Sequence, residues 1–423
     1  VRSTARVNTA QEQLNWVLKR VGPLPIDEVA VREAHGLTLA TDVKSPLSLP
    51  LWDNSAMDGY AVRAADVADA APDSPMTLRI VGEVLAGGAS DPSLDRGDAV
   101  RIMTGAPVPT AADTVIPVEL TRGDKGDGSW ATDSVVVQAA VAVGANVRRR
   151  GEDISEGSVL ATAGDLLGAA RLAALAAAGV ERVLVRKVPR VAVVVTGSEL
   201  RGSEEPLKRG QIPESNSVLI AGLLRECGVQ AVEVHHSDDK VASLAHLLRE
   251  LGGSFDVVMT TGGIGPGTHD VVRIALEAEP AVRAARVAVR PAKLQCAGKL
   301  SGGAFVFALP GNPVSAAVSF ELFVRPALLA MQGRSEVHRI PVPAVAEADW
   351  RGAEGRLQVL PVVVRPVVES GGAPMLSCAP AVNPRGVSHA VGGHGAANGY
   401  ALVEADRGDV VAGDTVPVIL VAP

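Results

Sequence analysis

Between residues 191 and 331, short apolar runs alternate with helical ones, and this alternation limits the fold more than any other feature of the chain. VAVVVTG (191–197), VQAVEVH (229–235) and FDVVMTTGG (255–263) are rich in β-branched residues, as strands buried on both faces are. SVLIAGLLRECG (217–228), KVASLAHLLRELGG (240–253) and DVVRIALEAE (270–279) space their apolar residues as helices do. RVAVR (286–290) and AFVFALP (304–310) add two strands before a long helix opening at Pro313. Strand and helix in turn make a doubly wound α/β domain, bounded at 189–332.

The flanks read differently. In TAQEQLNWVLKRV (9–21), Thr9 and Glu12 form a capping box, and Leu14, Val17, Leu18 and Val21 share one face. Residues 1–44 and 141–188 are expected to be a helical N-terminal region, its first helix free to pack on the α/β domain. Between them, 45–140 is cut by Gly, Pro and Asp into short alternating pieces, a small inserted β domain. After 333 the chain is again Gly-rich and strand-like, a terminal barrel or sandwich. With 47% hydrophobic but only 3% aromatic residues, the cores are built from Val, Leu and Ala. A net charge of −7 argues against a general nucleic-acid binder. Cys227, Cys296 and Cys378 are too far apart for a zinc site and fit free thiols in a reducing compartment. The apolar run 166–180, broken by Arg171, is too short to span a bilayer. No leader opens the chain, so a cytoplasmic protein is expected.

In an open α/β sheet, ligands lie beyond the carboxyl ends of the strands. Four loops meet that description. TGSEL (196–200) offers Glu199 as a candidate metal carboxylate. Asp238-Asp239 follows the second strand and reads first as a helix N-cap. TTGGIGPGTHD (260–270) lets backbone amides approach a phosphate but matches neither a P-loop nor a dinucleotide fingerprint; His269 in it reads as a loop histidine. LPGNPVS (309–315) sets Asn312 at an N-cap, Pro313 at the first helical position and Ser315 in the first turn, either an anion site or an ordinary capped helix. Arg148-Arg149-Arg150, Arg290 and Lys293 are the cations for an oxyanion. DNSAMDGYAVR (53–63) carries two carboxylates, an amide and a hydroxyl in six residues, and by local chemistry alone it is equally a capped turn.

DNSAMDGYAVR, RIMTGAPVP (101–109), NVRRRGEDI (146–154), TGSEL, the Gly-rich loop ending at Asp270, and LPGNPVSA occur in that order. In this the chain closely resembles the MoeA family of molybdopterin molybdenumtransferases, to which the gephyrin E domain also belongs. The likeness spans essentially the whole chain. It implies four parts: an elongated helical segment, an inserted β domain, a three-layer MogA-like α/β domain, and a C-terminal β barrel at 333–423. It implies a homodimer whose cleft lies between the α/β domain of one subunit and the inserted domain of the other. The implied reaction inserts molybdate into adenylylated molybdopterin with Mg²⁺ and releases AMP. Molybdopterin adenylyltransferase and molybdoenzymes are the implied protein partners, with no membrane.

By the same resemblance, Asp58, Thr104 and Asp153 match catalytic positions. Glu199, Asn216, Asp238, Gly262, Gly263, Asp270, Pro310 and Asn312 match nucleotide and molybdopterin positions, with Glu199 and Asp270 toward Mg²⁺. Arg290, Lys293, Ser315, Ser388 and Arg356 match molybdate positions. The chain departs from the family pattern at Ser198, where Asp is usual, and at Gly265, Pro266, Thr268 and His269. It departs again along Arg290-Pro291-Ala292-Lys293-Leu294, and at Val387, His389 and Pro361. These changes gather around metal and molybdate, so the alternative implied is a non-catalytic carrier of molybdopterin or of the finished cofactor.

Overall fold

The structure is a computed structural model that describes residues 6–202, 204–265, 267, 270–367 and 375–421. At its centre is a seven-stranded sheet in the order Val7–Asn8, Ala281–Val287, Leu294–Lys299, Phe305–Leu309, Val257–Thr261, Val191–Thr196, Val232–Ser237. The last four strands in this order are mutually parallel. The alternation of side chains along Val191–Thr196 explains the layering. Val191, Val193 and Val195 face Ile220, Leu224, Phe320 and Leu328, whereas Ala192 and Val194 face Leu244, Leu248 and Val272. Both faces are therefore covered, as a parallel sheet requires.

Two sequence expectations shift here. Leu294–Lys299 is a strand that LQCAGK does not suggest, and it runs antiparallel to both neighbours. RVAVR divides: Ala281–Val287 stays in the α/β sheet, while Val289–Arg290 pairs in parallel with Leu357 and Gln358 of the last domain. The long helix is also interrupted. Pro313–Ser319 and Arg325–Met331 are α-helical, and Phe320–Val324 between them is a π turn. Pro326 has no N–H to give and crowds the carbonyl four residues earlier, and the wider turn relieves both. By length and hydropathy Pro313–Met331 matches a membrane span, but 83% of its apolar window is buried inside the fold. It is a core helix, longer than the 166–180 run.

The helix Ala10–Leu18 carries the expected capping box: Thr9 Oγ1 accepts from Glu12 N at 3.1 Å and the Glu12 carboxylate accepts from Thr9 N at 2.9 Å. Its Leu14 and Val17 pack into the α/β and barrel cores. The rest of the N-terminal region is not mainly helical. Among its described residues only Ala169–Ala177 forms an α-helix, packed on a sheet of Ile26–Ala30, Arg182–Arg186 and Thr38–Leu39. The alanine-rich run 169–178 is a true helix former, but VERVLVR is alternating and forms a strand.

The inserted domain is a seven-stranded sheet with Met76–Val84, Asp98–Ile102, Gly59–Val62 and Thr114–Pro117 along one side. In the last domain, Val342–Ala346, Leu357–Val367, Met375–Pro380, Gly399–Val403 and Thr415–Leu420 pair in a closed ring. This is a five-stranded barrel, which leaves no free edge.

Candidate active site

The carboxyl ends of Val191–Thr196, Val257–Thr261 and Phe305–Leu309 open onto one cleft of about 980 Å³. Its walls are the loops 197–199, 262–265 and 310–312, with Lys293 and the start of the helix at Pro313. The loops meet closely because Gly262 and Gly263 adopt φ of 90° and 60°, and a Cβ there would lie 3.1 Å from Thr196 O and Val272 N. Asn312 occupies the N-cap with extended backbone and makes no side-chain cap bond, and Pro313 follows it. The first-turn amides are thus left for a ligand, and buried Ser315 lines the cleft beside them.

Asp270 holds the glycine loop in shape. Its Oδ1 accepts from Gly265 N and its Oδ2 from Gly267 N, both at 2.7 Å. Arg273 completes the clamp by donating to the carbonyls of Gly265 and Gly267. Gly265 suits this arrangement, since a Cβ would sit 3.0 Å from the Asp270 carboxylate. Pro266, Thr268 and His269 lie outside the described residues.

The exposed Glu199 lines the cleft, and no donor among the described residues engages its carboxylate. Asp239 lines it too, accepting from Ser198 N through Oδ2 at 2.7 Å. Asp238 turns away to an ion pair with Lys240 at 3.0 Å, which holds its carboxyl below the usual range. Of the adjacent pair, the residue facing the cleft is the one sequence reasoning left as a cap. The signal was present in the doubled aspartate, but which one points inward depends on how the strand ends. Asn216 is buried behind the cleft and donates through Nδ2 to Gly311 O at 2.8 Å, while its Oδ1 has no partner among the described residues. An unpaired buried acceptor is costly and fits a donor arriving with a ligand.

Glu199, Gly262, Gly263, Asp270, Pro310, Asn312, Lys293 and Ser315 are thus brought together on one cleft, with Leu294 on its rim. Ala292, where the resemblance implies glycine, adopts φ 70°, a left-handed conformation that side chains resist. Arg290 lies outside the cleft lining and donates to the carbonyls of Pro384 and Arg385 at 3.2 and 3.3 Å. Ser388 and exposed His389 sit on the turn Val387–His389, which packs against the helix Pro313–Ser319. Arg356 immediately precedes Leu357, the residue paired with Val289, so it stands at the start of the strand that neighbours Arg290. Pro361 is a barrel residue opposite Tyr400, away from the cleft.

None of Asp58, Thr104 and Asp153 lines this cleft. Asp58 Oδ1 accepts from both the backbone N–H and the hydroxyl of Thr104, at 2.7 and 2.8 Å. These donors, the amide foremost, hold the exposed carboxyl below its usual range. Tyr60, two residues on, is fully buried and accepts from Ala131 N at 2.8 Å. The loop is therefore anchored from below and presents Asp58 outward. Asp153 is exposed on the strap that runs beside residues 49–55, and its amide donates to Leu49 O rather than toward Asp58 or Thr104. On the same strap Arg149 pairs with Asp53 at 2.7 Å.

Family models match twice along the chain: the MoeA N-terminal region (domain I and II) over residues 8–179, and a probable molybdopterin binding domain over residues 192–330. Molybdopterin molybdenumtransferase 2 of Mycobacterium tuberculosis is 39% identical over 336 residues, covering 78% of this chain and 81% of that one. A molybdopterin molybdenumtransferase of Haemophilus influenzae is 31% identical over 398 residues, 94% of each chain. The crystal structure of a molybdopterin biosynthesis MoeA protein from Pyrococcus horikoshii aligns with a TM-score of 0.80 at 26% identity, covering 98% of this chain and 100% of that one. With both family models matching in this order and relatives 31–39% identical over most of its length, the chain belongs to the MoeA family.

Proposed function

We propose that this protein inserts molybdate into adenylylated molybdopterin, with Mg²⁺, and releases AMP. As a family member it is a transferase of molybdenum cofactor biosynthesis. The observation that carries the finer reading is the composition of the cleft: open amides at the helix start and glycine loops, Lys293, Ser315, and the carboxylates of Glu199 and Asp239. Amides and a lysine suit the phosphates of the substrate and the molybdate oxyanion. Carboxylates beside a phosphate site suit Mg²⁺, which takes one or two protein carboxylates and completes its shell with water and phosphate oxygens. No three metal-ligating side chains converge among the described residues, which agrees with that mode.

In this reading Glu199 and Asp239 hold the cation, whose charge would offset that of the phosphate oxygens. Asp270 keeps the glycine loop closed around the phosphates. Lys293 and Ser315 bind molybdate, with Arg290, Arg356 and Ser388 at its barrel side. Asp58, Thr104 and Asp153 act on a second copy of the chain, because they stand apart from their own cleft. A homodimer follows. The buried free thiols of Cys227, Cys296 and Cys378 agree with a reducing, cytoplasmic setting.

Serine at 198 and the commitment of Asp270 to loop amides favour one alternative, a carrier that binds the nucleotide without turning it over. AMP release from adenylylated molybdopterin, with and without molybdate in Mg²⁺ buffer, separates the two. Molybdate-stimulated release that is lost in Asp58→Ala is expected; tight binding with no release would establish the carrier.

A further inference from the structure

Gln295 stands at a strand position where an apolar side chain is expected. Along Leu294–Lys299 it shares a face with Ala297, which belongs to the core of Ile220, Phe305, Ala316 and Phe320, and only 5% of it is exposed. A buried amide costs stability unless its hydrogen bonds are made. Gln295 Nε2 makes two, both at 2.8 Å: one to the carbonyl of Ala292 and one to the hydroxyl of fully buried Ser319. A carbonyl only accepts, so the atom facing Ala292 is the nitrogen, and both of its hydrogens are used.

Both partners bear on the α/β cleft. Ala292 lines it at φ 70°, a conformation that an alanine keeps only where its surroundings hold it. Gln295 grips the Ala292 carbonyl on one side of Lys293, and on the other Val287 N donates to the Lys293 carbonyl at 2.8 Å. The peptide groups flanking Lys293 are thereby both anchored. Ser319 lies four residues after Ser315 on the helix Pro313–Ser319, so the two share one face of it. One side-chain nitrogen thus ties the loop that carries Lys293 to the helix that carries Ser315.

We infer that Gln295 is a positioning residue for the oxyanion end of the cleft: it holds Ala292 left-handed and keeps Lys293 and Ser315 in fixed register. The role rests on the function proposed above, in which those two side chains bind molybdate. Gln295 lies outside the cleft lining and acts only through them. A small displacement of the ammonium against the hydroxyl spoils their joint fit to a tetrahedral anion.

The probes are molybdate and AMP, each titrated calorimetrically into the full-length protein. Gln295→Leu suits the apolar surroundings and removes both donors. It should weaken molybdate by about tenfold and leave AMP affinity, set by the glycine loops and helix amides, unchanged. Ser319→Ala cuts only the tie to the helix and should weaken molybdate by about threefold. Glycine at 292 needs no hold on its φ, so in an Ala292→Gly background Gln295→Leu should cost only about threefold, the share of the Ser319 tie. A merely structural glutamine would cost the same in both backgrounds. Thermal transitions show that each variant is folded, and Ser319→Ala carries the test if Gln295→Leu is not. Molybdate affinity unmoved in Gln295→Leu, equal loss of molybdate and AMP, or no relief from Ala292→Gly would each overturn the role. Wild-type protein that binds no molybdate would overturn both this role and the assignment of Lys293. Insertion that proceeds equally well in Gln295→Leu at limiting molybdate keeps the function and loses this role. Molybdate binding that depends on Gln295 without insertion keeps the role and loses the function.

Discussion

Asp58 is exposed, yet its carboxylate is fixed, because two donors from Thr104, 46 residues along the chain, converge on one oxygen. Both bonds favour the ionised form, so the contact is present above the ordinary carboxylate pKa and is lost as pH falls through the lowered one. Thr104→Val removes the hydroxyl donor and keeps the amide. The Asp58 carboxyl should then titrate higher, toward the ordinary value of about 3.9, as followed by carboxyl carbon NMR. An unmoved titration would show that the hydroxyl does not matter to the charge. At this scale the sequence is informative about residue type but silent about direction. Asp238 and Asp239 are chemically the same, and only the geometry at the end of Val232–Ser237 turns the second into the cleft.

The glycine loop is the element that most depends on one side chain. Asp270 satisfies the amides and Arg273 the carbonyls of Gly265 and Gly267, so two glycines with little intrinsic conformational preference are tied to the start of the following helix. Asp270→Ala should release the loop and lower AMP affinity by about tenfold, with the global thermal transition little changed because the loop lies outside the core. Unaltered AMP binding would mean that the loop needs no clamp. The elements that were legible are those with strong periodicity, namely the β-branched strands and the helices after 217, 240 and 313. Leu294–Lys299 was not, because Gln295, Gly298 and Lys299 break the strand pattern and pairing on both sides supplies what propensity lacks. The helical reading of 141–188 failed for the opposite reason: the alanine-rich helix Ala169–Ala177 is genuine, but its neighbours are held as strands by Ile26–Ala30 and Val43–Lys44.

For the whole molecule, the separation of the Asp58 loop from the chain's own α/β cleft makes the proposed dimer testable without a structure of the dimer. Asp58→Ala and Glu199→Ala should each be inactive alone. Mixed after subunit exchange, half of the dimers are heterodimers, each with one unaltered composite site, so about a quarter of wild-type activity should return. Activity that stays at the level of the separate variants would show that each chain completes its own cleft.

The order of apolar periods decided by itself that this chain has a doubly wound α/β domain followed by a β domain, since burying those runs leaves few alternatives. Motif order likewise identified the family and most of the cleft: glycine loops and helix starts are set by local backbone chemistry, which short stretches of sequence specify. Only the tertiary structure decided that Val289–Arg290 leaves one sheet to join a barrel, that Asp239 and not Asp238 faces the cleft, and that Arg290 engages barrel carbonyls. It also decided that Gln295 joins Ala292 to Ser319 beneath the cleft. Each of these depends on contacts between residues far apart in the chain, whose energies no local pattern encodes.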